Sequence, residues 1–138
     1  MIYKKVFIDS DIILDLIFQR QPFFKYSQVL FDGVFPEYEL TTSALILANV
    51  HYLIRKHVNK ATAKDIIKNV TDILKVFPFE KQHILLAVSS DHSDFEDSIQ
   101  YHIAMQNKCD FILTRNLKDY KHSTIPVLTA EQFLRTIL

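Results

Sequence analysis

Acidic side chains follow the first apolar run of the chain, in the stretch VFIDSDIILDLI. Asp9 closes that run, Asp11 comes two residues later, and Asp15 follows after four more. Carboxylates bind hard divalent cations such as Mg²⁺, and aspartates also cap helices. We expect Asp11 to cap the first helix or to be solvated, and Asp15 to lie on a solvated helix face. Asp9 is the candidate for chemistry because it stands where a strand gives way to a helix.

A second group of acids lies more than 80 residues further along. Asp94 and Asp97 begin the stretch DFEDSIQY, and Asp119 lies in LTRNLKDY, just past the apolar run CDFILT. Asp94 can cap the helix that starts here, although Ser93 and Glu96 form a rival capping box. Asp97 fits a capping role less well because it lies inside the first turn. Asp97 is therefore the second candidate for chemistry.

The order of predicted elements explains how these distant acids could meet. Five short strands are predicted, in the order YKKVFID, YELTTS, VFPF, CDFILT and PVLT, with helical patterns between them. Such alternation predicts an α/β fold, a three-layer α/β/α sandwich around a central parallel sheet of about five strands, as one domain over residues 1–138. Pro78 marks VFPF as an edge strand. Ligands of open parallel sheets bind at the carboxyl ends of the strands.

Composition excludes several classes of protein. The chain has 138 residues, of which 49% are hydrophobic, and it carries 16 basic and 16 acidic side chains. A formal charge of zero gives no global attraction to polyanions, so nucleic acid would have to bind a local patch. The single cysteine, Cys109, cannot form an internal disulfide, and we expect it in the core. No apolar run approaches the length that spans a bilayer, so we expect a cytoplasmic protein with no membrane contact.

Three stretches together resemble the PIN domain family, the metal-dependent ribonucleases that include the VapC toxins of bacterial toxin–antitoxin pairs. They are VFIDSDIILDLI, DFEDSIQYHIAMQNKCDFILTRNLKDY and PVLTAEQFL. The resemblance implies a PIN-like fold with an acidic pocket that holds Mg²⁺ or Mn²⁺ and hydrolyses RNA phosphodiester bonds. It also implies an antitoxin protein as a partner, and we expect a homodimer.

The resemblance assigns roles residue by residue. Asp9 and Asp97 match two family acids and are the expected metal ligands. Asn49 stands where PIN domains usually have a glutamate, and Asn116 where many have an aspartate. These four residues are the expected catalytic group. Thr114 matches the threonine of the same motif and is expected to contact the substrate.

Two of the four usual acids are thus amides, which add no negative charge to the pocket. A single ion therefore fits the sequence better than two, because magnesium is commonly held by one or two protein carboxylates and several waters. Asp94 and Asp119 are possible outer-shell partners of that ion. Arg115 and Lys118 lie next to the predicted pocket and are expected to bind substrate phosphates.

Other interpretations remain open. The two amides also suit a weak or inactive PIN domain that binds RNA or a protein partner. DSD after the first strand resembles the nucleophile motif of haloacid-dehalogenase phosphatases, but the chain lacks the length for their usual lid domain. The six histidines show no zinc spacing and are expected on helices or the surface. Phe23, Phe24 and Tyr26 are expected either in the core or as an exposed patch for a dimer or antitoxin contact.

Overall fold

The computed structural model describes residues 3–138. Its five strands are β1 (Lys4–Ile8), β2 (Tyr38–Ser43), β3 (Lys75–Phe77), β4 (Phe111–Leu113) and β5 (Val127–Leu128). Its seven α-helices are α1 (Ser10–Ile17), α2 (Phe24–Asp32), α3 (Ala44–Ile54), α4 (Lys60–Ile73), α5 (Lys81–Ser89), α6 (Phe95–Gln106) and α7 (Ala130–Ile137). A short 3-10 helix, Leu117–Tyr120, follows β4.

The strands form one sheet in the order β3-β2-β1-β4-β5, and every neighbouring pair is parallel. β1 lies at the centre, where Val6 pairs with Leu40 on one side and Phe111 on the other. The predicted five-stranded parallel sheet is confirmed. The edge position of β3 is also confirmed, and this strand ends at Phe77, directly before Pro78.

The centre of β1 explains why helices must cover both faces of the sheet. Val6, Phe7 and Ile8 are completely buried although successive side chains point to opposite faces. Helix ends follow from short sequence signals. The Asn59 side chain accepts a hydrogen bond from the backbone N–H of Thr62 at the start of α4. Thr129 and Gln132 form the capping box of α7.

Strand order brings the predicted acids to one edge of the sheet. β1 and β4 are neighbours, so the segments after Ile8 and after Leu113 leave the sheet side by side. The backbone N–H of Asp9 donates to the Leu113 carbonyl oxygen, which fixes the start of α1 against the end of β4. No helix among residues 3–138 is long and apolar enough to cross a bilayer.

Candidate active site at the carboxyl end of the sheet

Asp9 is held by hydrogen bonds to both of its carboxylate oxygens. Oδ1 accepts from the Ser10 backbone N–H at 2.8 Å, and Oδ2 accepts from the hydroxyls of Thr114 at 2.9 Å and Tyr120 at 3.3 Å. Asp9 is the N-cap of α1, whereas Asp11 was the candidate for that cap in the sequence. Its side chain is buried, so its orientation is set by the protein rather than by solvent.

Burial raises the pKa of Asp9, and the nearby charge of Asp11 raises it further. The hydrogen bonds from Ser10, Thr114 and Tyr120 act in the opposite direction, because they stabilise the ionised form. A carboxylate with a raised pKa in a polar pocket is a candidate for proton or cation binding.

Asp11 connects α1 to the loop after β4. Its Oδ2 accepts from the Arg115 backbone N–H at 2.8 Å and from the Thr114 hydroxyl at 3.2 Å. Burial is the first cause of its raised pKa. Oδ1 of Asp11 is buried and makes no hydrogen bond with the described residues. Asp11 therefore neither caps α1 nor is solvated; it holds the loop that carries Thr114.

Asp97 lies in the first turn of α6, as predicted, and its backbone N–H donates to Asp94 Oδ1 at 2.8 Å. Asp94 is thus the N-cap of α6. The pKa of Asp97 is raised to about 7. Burial is the largest cause, and the charges of Asp9, Asp94, Asp119 and Glu96 add to it in that order. The charge of Asp9 acts on Asp97, and both acids act on Tyr120, so the fold brings the two acids into one neighbourhood.

Tyr120 lies between the two predicted metal ligands. Burial and then the charges of Asp9 and Asp97 raise its pKa well above 10. It lines one narrow cleft together with Asp97 and Asp119, and His122 forms another part of the wall. The sequence prediction missed Tyr120. No sequence signal marks it, because its approach to Asp9 depends on the 3-10 turn that Leu117–Tyr120 form.

The two amides occupy different surroundings. The Asn49 side chain on α3 donates from Nδ2 to Glu96 Oε1 at 2.6 Å. Glu96 is therefore placed beside the position where the family usually has an acid. Asn116 is exposed at the start of the 3-10 turn, and its backbone N–H donates to the Thr114 hydroxyl oxygen at 3.1 Å.

Two of the residues expected to contact the substrate have other partners in the structure. Thr114 is completely buried, so its hydroxyl positions Asp9 instead of touching a substrate. The Arg115 guanidinium donates to both carboxylate oxygens of Asp15 at 2.8 and 3.0 Å and lies over the Phe23 ring, 4.1 Å from its centre. Nε and Nη2 are therefore engaged by Asp15, and a contact of Arg115 with a substrate phosphate stays a prediction. Lys118 is exposed, and its contact with substrate stays a prediction.

Two surface predictions also change. Asp15 is completely buried by its pairing with Arg115, so it does not lie on a solvated helix face. Phe23, Phe24 and Tyr26 are only partly exposed, and Phe23 is covered by Arg115, so they form no open apolar patch.

The donor set suits a hard cation. Carboxylates supply the oxygen ligands that Mg²⁺ and Mn²⁺ prefer, and the repulsion that raises the pKa of Asp97 would be relieved by a positive ion. Over residues 3–138 no three carboxylate, histidine or cysteine side chains form a ready-made metal cluster. Such a cluster is not required, because magnesium keeps several waters and often uses one or two protein carboxylates.

Comparison with known proteins identifies the family. A family model described as "PIN domain" matches residues 5–118, which is well over half of the chain. The chain belongs to the PIN domain family. This confirms the resemblance found in the sequence.

Individual relatives agree with this PIN domain assignment. The chain is 33% identical over 136 residues to Ribonuclease VapC1 of Aquifex aeolicus, covering 94% of this chain and 93% of the relative. Among solved structures, VapBC-1 from nontypeable Haemophilus influenzae is similar with a TM-score of 0.70 at 15% identity, covering 92% of this chain and 98% of that one. VapC20 from Mycobacterium tuberculosis, described as a sarcin-ricin loop cleaving toxin, has a TM-score of 0.66 at 13% identity, with 84% and 95% covered. The solved structures support the PIN-like fold.

Proposed function

We propose that this PIN domain is an endoribonuclease that hydrolyses RNA phosphodiester bonds with Mg²⁺ or Mn²⁺, and that it is the toxin of a toxin–antitoxin pair. The observation that carries the proposal is the approach of Asp9 and Asp97 at the carboxyl end of the sheet, with Asp119 beside Asp97. The similarity to Ribonuclease VapC1 supports the same activity.

Asp9 and Asp97 are the residues that would hold the ion. A bound divalent cation supplies an activated water and neutralises charge on the phosphate oxygens. Asp9 is the rigid ligand, because the hydroxyls of Thr114 and Tyr120 and the Ser10 N–H fix its carboxylate. Asp97 is less buried than Asp9 and lines the narrow cleft, so it is the ligand of the pair that is more accessible from solvent.

The surrounding polar residues affect the pKa of Asp97 and the attraction of the site for a cation. Asp94 and Asp119 raise the pKa of Asp97 by their charges, so both make the site more attractive to a cation. Asn49 holds Glu96, whose charge acts on Asp97 in the same direction. We infer that Glu96 partly replaces the acid that Asn49 does not provide. Asn116 is proposed to orient water or phosphate from the exposed side of the site.

The alternative is a PIN domain that binds RNA or protein but cleaves weakly or not at all. One observation favours it: the Asn49 amide is committed to Glu96, and neither Asn49 nor Asn116 adds a charge to the site. One measurement, the formation of new RNA ends, distinguishes the two functions. An inactive module would bind RNA without producing such ends.

For partners, we propose an antitoxin protein and a homodimer. The solved structures of similar fold include a toxin–antitoxin complex from Klebsiella pneumoniae. On this chain, four apolar side chains of α5 are exposed to solvent: Ile84, Leu85, Leu86 and Val88. Exposed apolar surface of this kind supports the proposal of a second copy of the chain as its cover. We also propose a cytoplasmic location, because the proposed substrate is RNA.

Cleavage of single-stranded and structured RNA with and without Mn²⁺ tests the activity. We expect slow cleavage that EDTA abolishes. Asp97→Asn should reduce cleavage by at least about a hundredfold, because it removes one ligand charge while keeping the shape of the side chain. Asp9→Asn is the harsher variant, since its new N–H₂ group would face the donors of Ser10 or of Thr114 and Tyr120.

The matched control is Asp65→Asn, which removes the same charge from an exposed position on α4. Its cleavage rate should equal that of the wild type. Cleavage that persists in Asp97→Asn, or that survives EDTA, would contradict the proposed site and indicate a contaminating nuclease. Binding of RNA without any cleavage would favour the alternative function.

A further inference from the structure

Three histidines that the proposed reaction does not use form a stack beside the acidic cleft. The His92 ring lies parallel to the His102 ring, with centres 5.8 Å apart and 13° between the planes. It also lies parallel to the His122 ring, at 5.6 Å and 5°. The three residues come from separate segments: the loop between α5 and α6, the middle of α6, and the loop after the 3-10 helix.

The central ring of the stack is fixed by its neighbours. His92 Nδ1 shares a hydrogen bond of 2.9 Å with the Ser98 hydroxyl, and the Tyr101 ring meets His92 edge-on at 5.2 Å. His92 is partly buried, whereas His122 is exposed. The stack therefore presents a supported aromatic ring to solvent at the His122 end.

The stack and the acids share one cleft. His92 and His122 line the same narrow cleft as Asp97, Asp119 and Tyr120. An RNA strand whose phosphate lies at Asp97 would bring a neighbouring base within reach of His122. The position of the stack is thus suited to a substrate rather than to a remote ligand.

The geometry of the rings suits stacking and does not suit a metal. Rings that lie nearly parallel direct their nitrogens along parallel planes, whereas tetrahedral zinc needs ligand nitrogens that converge on one point. Consistent with this, no metal-binding group involving these histidines occurs in the described part of the chain. Parallel rings do offer π faces, on which the unstacked bases of single-stranded RNA commonly lie.

We propose that His122 is a base-binding residue of the ribonuclease site, on which a nucleobase next to the scissile phosphate stacks. The inference rests on the proposed function and adds to it the class of substrate: RNA with an unpaired base at that position. Because the ring is already supported by His92, little side-chain freedom is lost when the base binds. Stacking alone is tolerant of base identity, so the site requires a base there but not a particular one.

The test removes each partner of the contact in turn. Oligoribonucleotides that the wild type cleaves are made with a single abasic residue at each position around the cleavage site, and kcat/KM is measured with Mn²⁺. We expect one abasic position to lower kcat/KM by on the order of tenfold or more for the wild type. His122→Ala should show the same loss on intact RNA and no further loss at that abasic position.

Two further variants separate stacking from general damage. His122→Phe retains an aromatic face and should keep most of the wild-type preference for a base over an abasic residue. His57→Ala removes a histidine that follows α3 and contacts Phe18, and it should leave the preference unchanged. Thermal unfolding of all three variants shows whether they remain folded.

A wild type that cleaves intact and abasic RNAs equally, or a His122→Ala variant that still distinguishes them, would overturn the inference while the ribonuclease function stands. A wild type that cleaves none of the intact RNAs would remove the proposed function and the inference together.

2-Aminopurine at the sensitive position gives a second readout in the Asp97→Asn background. Its fluorescence should be quenched on binding when residue 122 is His or Phe, and not in His122→Ala.

Discussion

Asp15 and Arg115, 100 residues apart in sequence, form a two-bond ion pair that fastens α1 to the loop after β4. The Asp15 carboxylate is fully buried, and the Phe23 ring covers the guanidinium. The same loop carries Thr114, which donates to Asp9. A structural ion pair therefore lies only one residue away from a residue that orients the candidate metal ligand.

Arg115→Ala should destabilise the protein by about 3 to 5 kcal/mol, because it leaves a buried carboxylate without its main partner. Arg20, 4.0 Å from Asp15, can compensate only in part. Arg115→Lys should recover some of the loss, since a lysine supplies the charge but not the two parallel hydrogen bonds. Urea unfolding at neutral pH measures both variants.

The control for this prediction is Lys68→Ala, which breaks the exposed Lys68–Asp72 pair on α4. Exposed pairs contribute little, so its stability should hardly change. If Arg115→Ala were as stable as Lys68→Ala, the Asp15–Arg115 pair would not hold the loop.

The acidic site predicts a pH dependence with a definite sign. Burial and the charges of its acidic neighbours raise the pKa of Asp97 to about 7, from an ordinary value of 3.8. Between these values the folded protein binds more protons than the unfolded chain, so the metal-free free energy of unfolding should fall as pH rises from about 4 to about 7. Burial of Asp9 acts in the same direction. Urea titrations in EDTA at several pH values measure this slope.

Saturating Mn²⁺ at pH 7.5 should restore the lost stability, since the ion binds the ionised acids of the folded state. Asp97→Asn should show both a smaller pH slope and a smaller gain from Mn²⁺. An Asp97→Asn variant with the wild-type slope would mean that other groups control this region of the titration.

Cys109 should behave as a core residue, as the sequence predicted. Burial raises the pKa of its thiol to about 11, so almost no thiolate exists at neutral pH. We expect iodoacetamide to label the folded protein very slowly and the urea-unfolded protein completely, as measured by mass spectrometry. Fast labelling under native conditions would mean that the end of α6 opens readily.

The sequence allowed the sheet, its edge strand and the convergence of Asp9 with Asp97 to be predicted, because these follow from local patterns and from the geometry of parallel sheets. It did not reveal that Asp15 is buried, since the partner that neutralises it is distant in the chain and nothing in the spacing of α1 indicates it. Thr114 was expected to contact the substrate because its motif is visible in the sequence. Its burial could not be predicted, because it depends on β5 and the 3-10 turn.

The histidine stack could not be predicted from the sequence either. His92, His102 and His122 have no common spacing, and each alone is typical of a helix or a surface loop. The packing of α6 against the 3-10 helix, together with the hydrogen bond between His92 and Ser98, brings them together. Aromatic clusters built from three separate segments leave no periodic signal in the sequence.

Asn116→Asp tests whether the amides belong to a working site. Asn116 is connected to Asp9 through Thr114, whose hydroxyl accepts from the Asn116 N–H and donates to Asp9. A carboxylate here adds a like charge, so the metal-free protein should become slightly less stable. The same charge should strengthen Mn²⁺ binding by on the order of tenfold, about 1.4 kcal/mol. Thermal unfolding with and without Mn²⁺, together with a direct Mn²⁺ titration, measures both effects.

Asn69→Asp is the matched control, because it adds the same charge at an exposed position on α4, which packs against α3 and the edge strand β3. It should bind Mn²⁺ as the wild type does, since a charge at a distance is screened by salt. Comparing the two variants separates the effect of the position of the new charge from the effect of adding a charge. If Asn116→Asp gains no more stability from Mn²⁺ than Asn69→Asp, the residue 116 side chain does not face the ion, and the site depends on Asp9 and Asp97 with the charges of Asp94, Asp119 and Glu96.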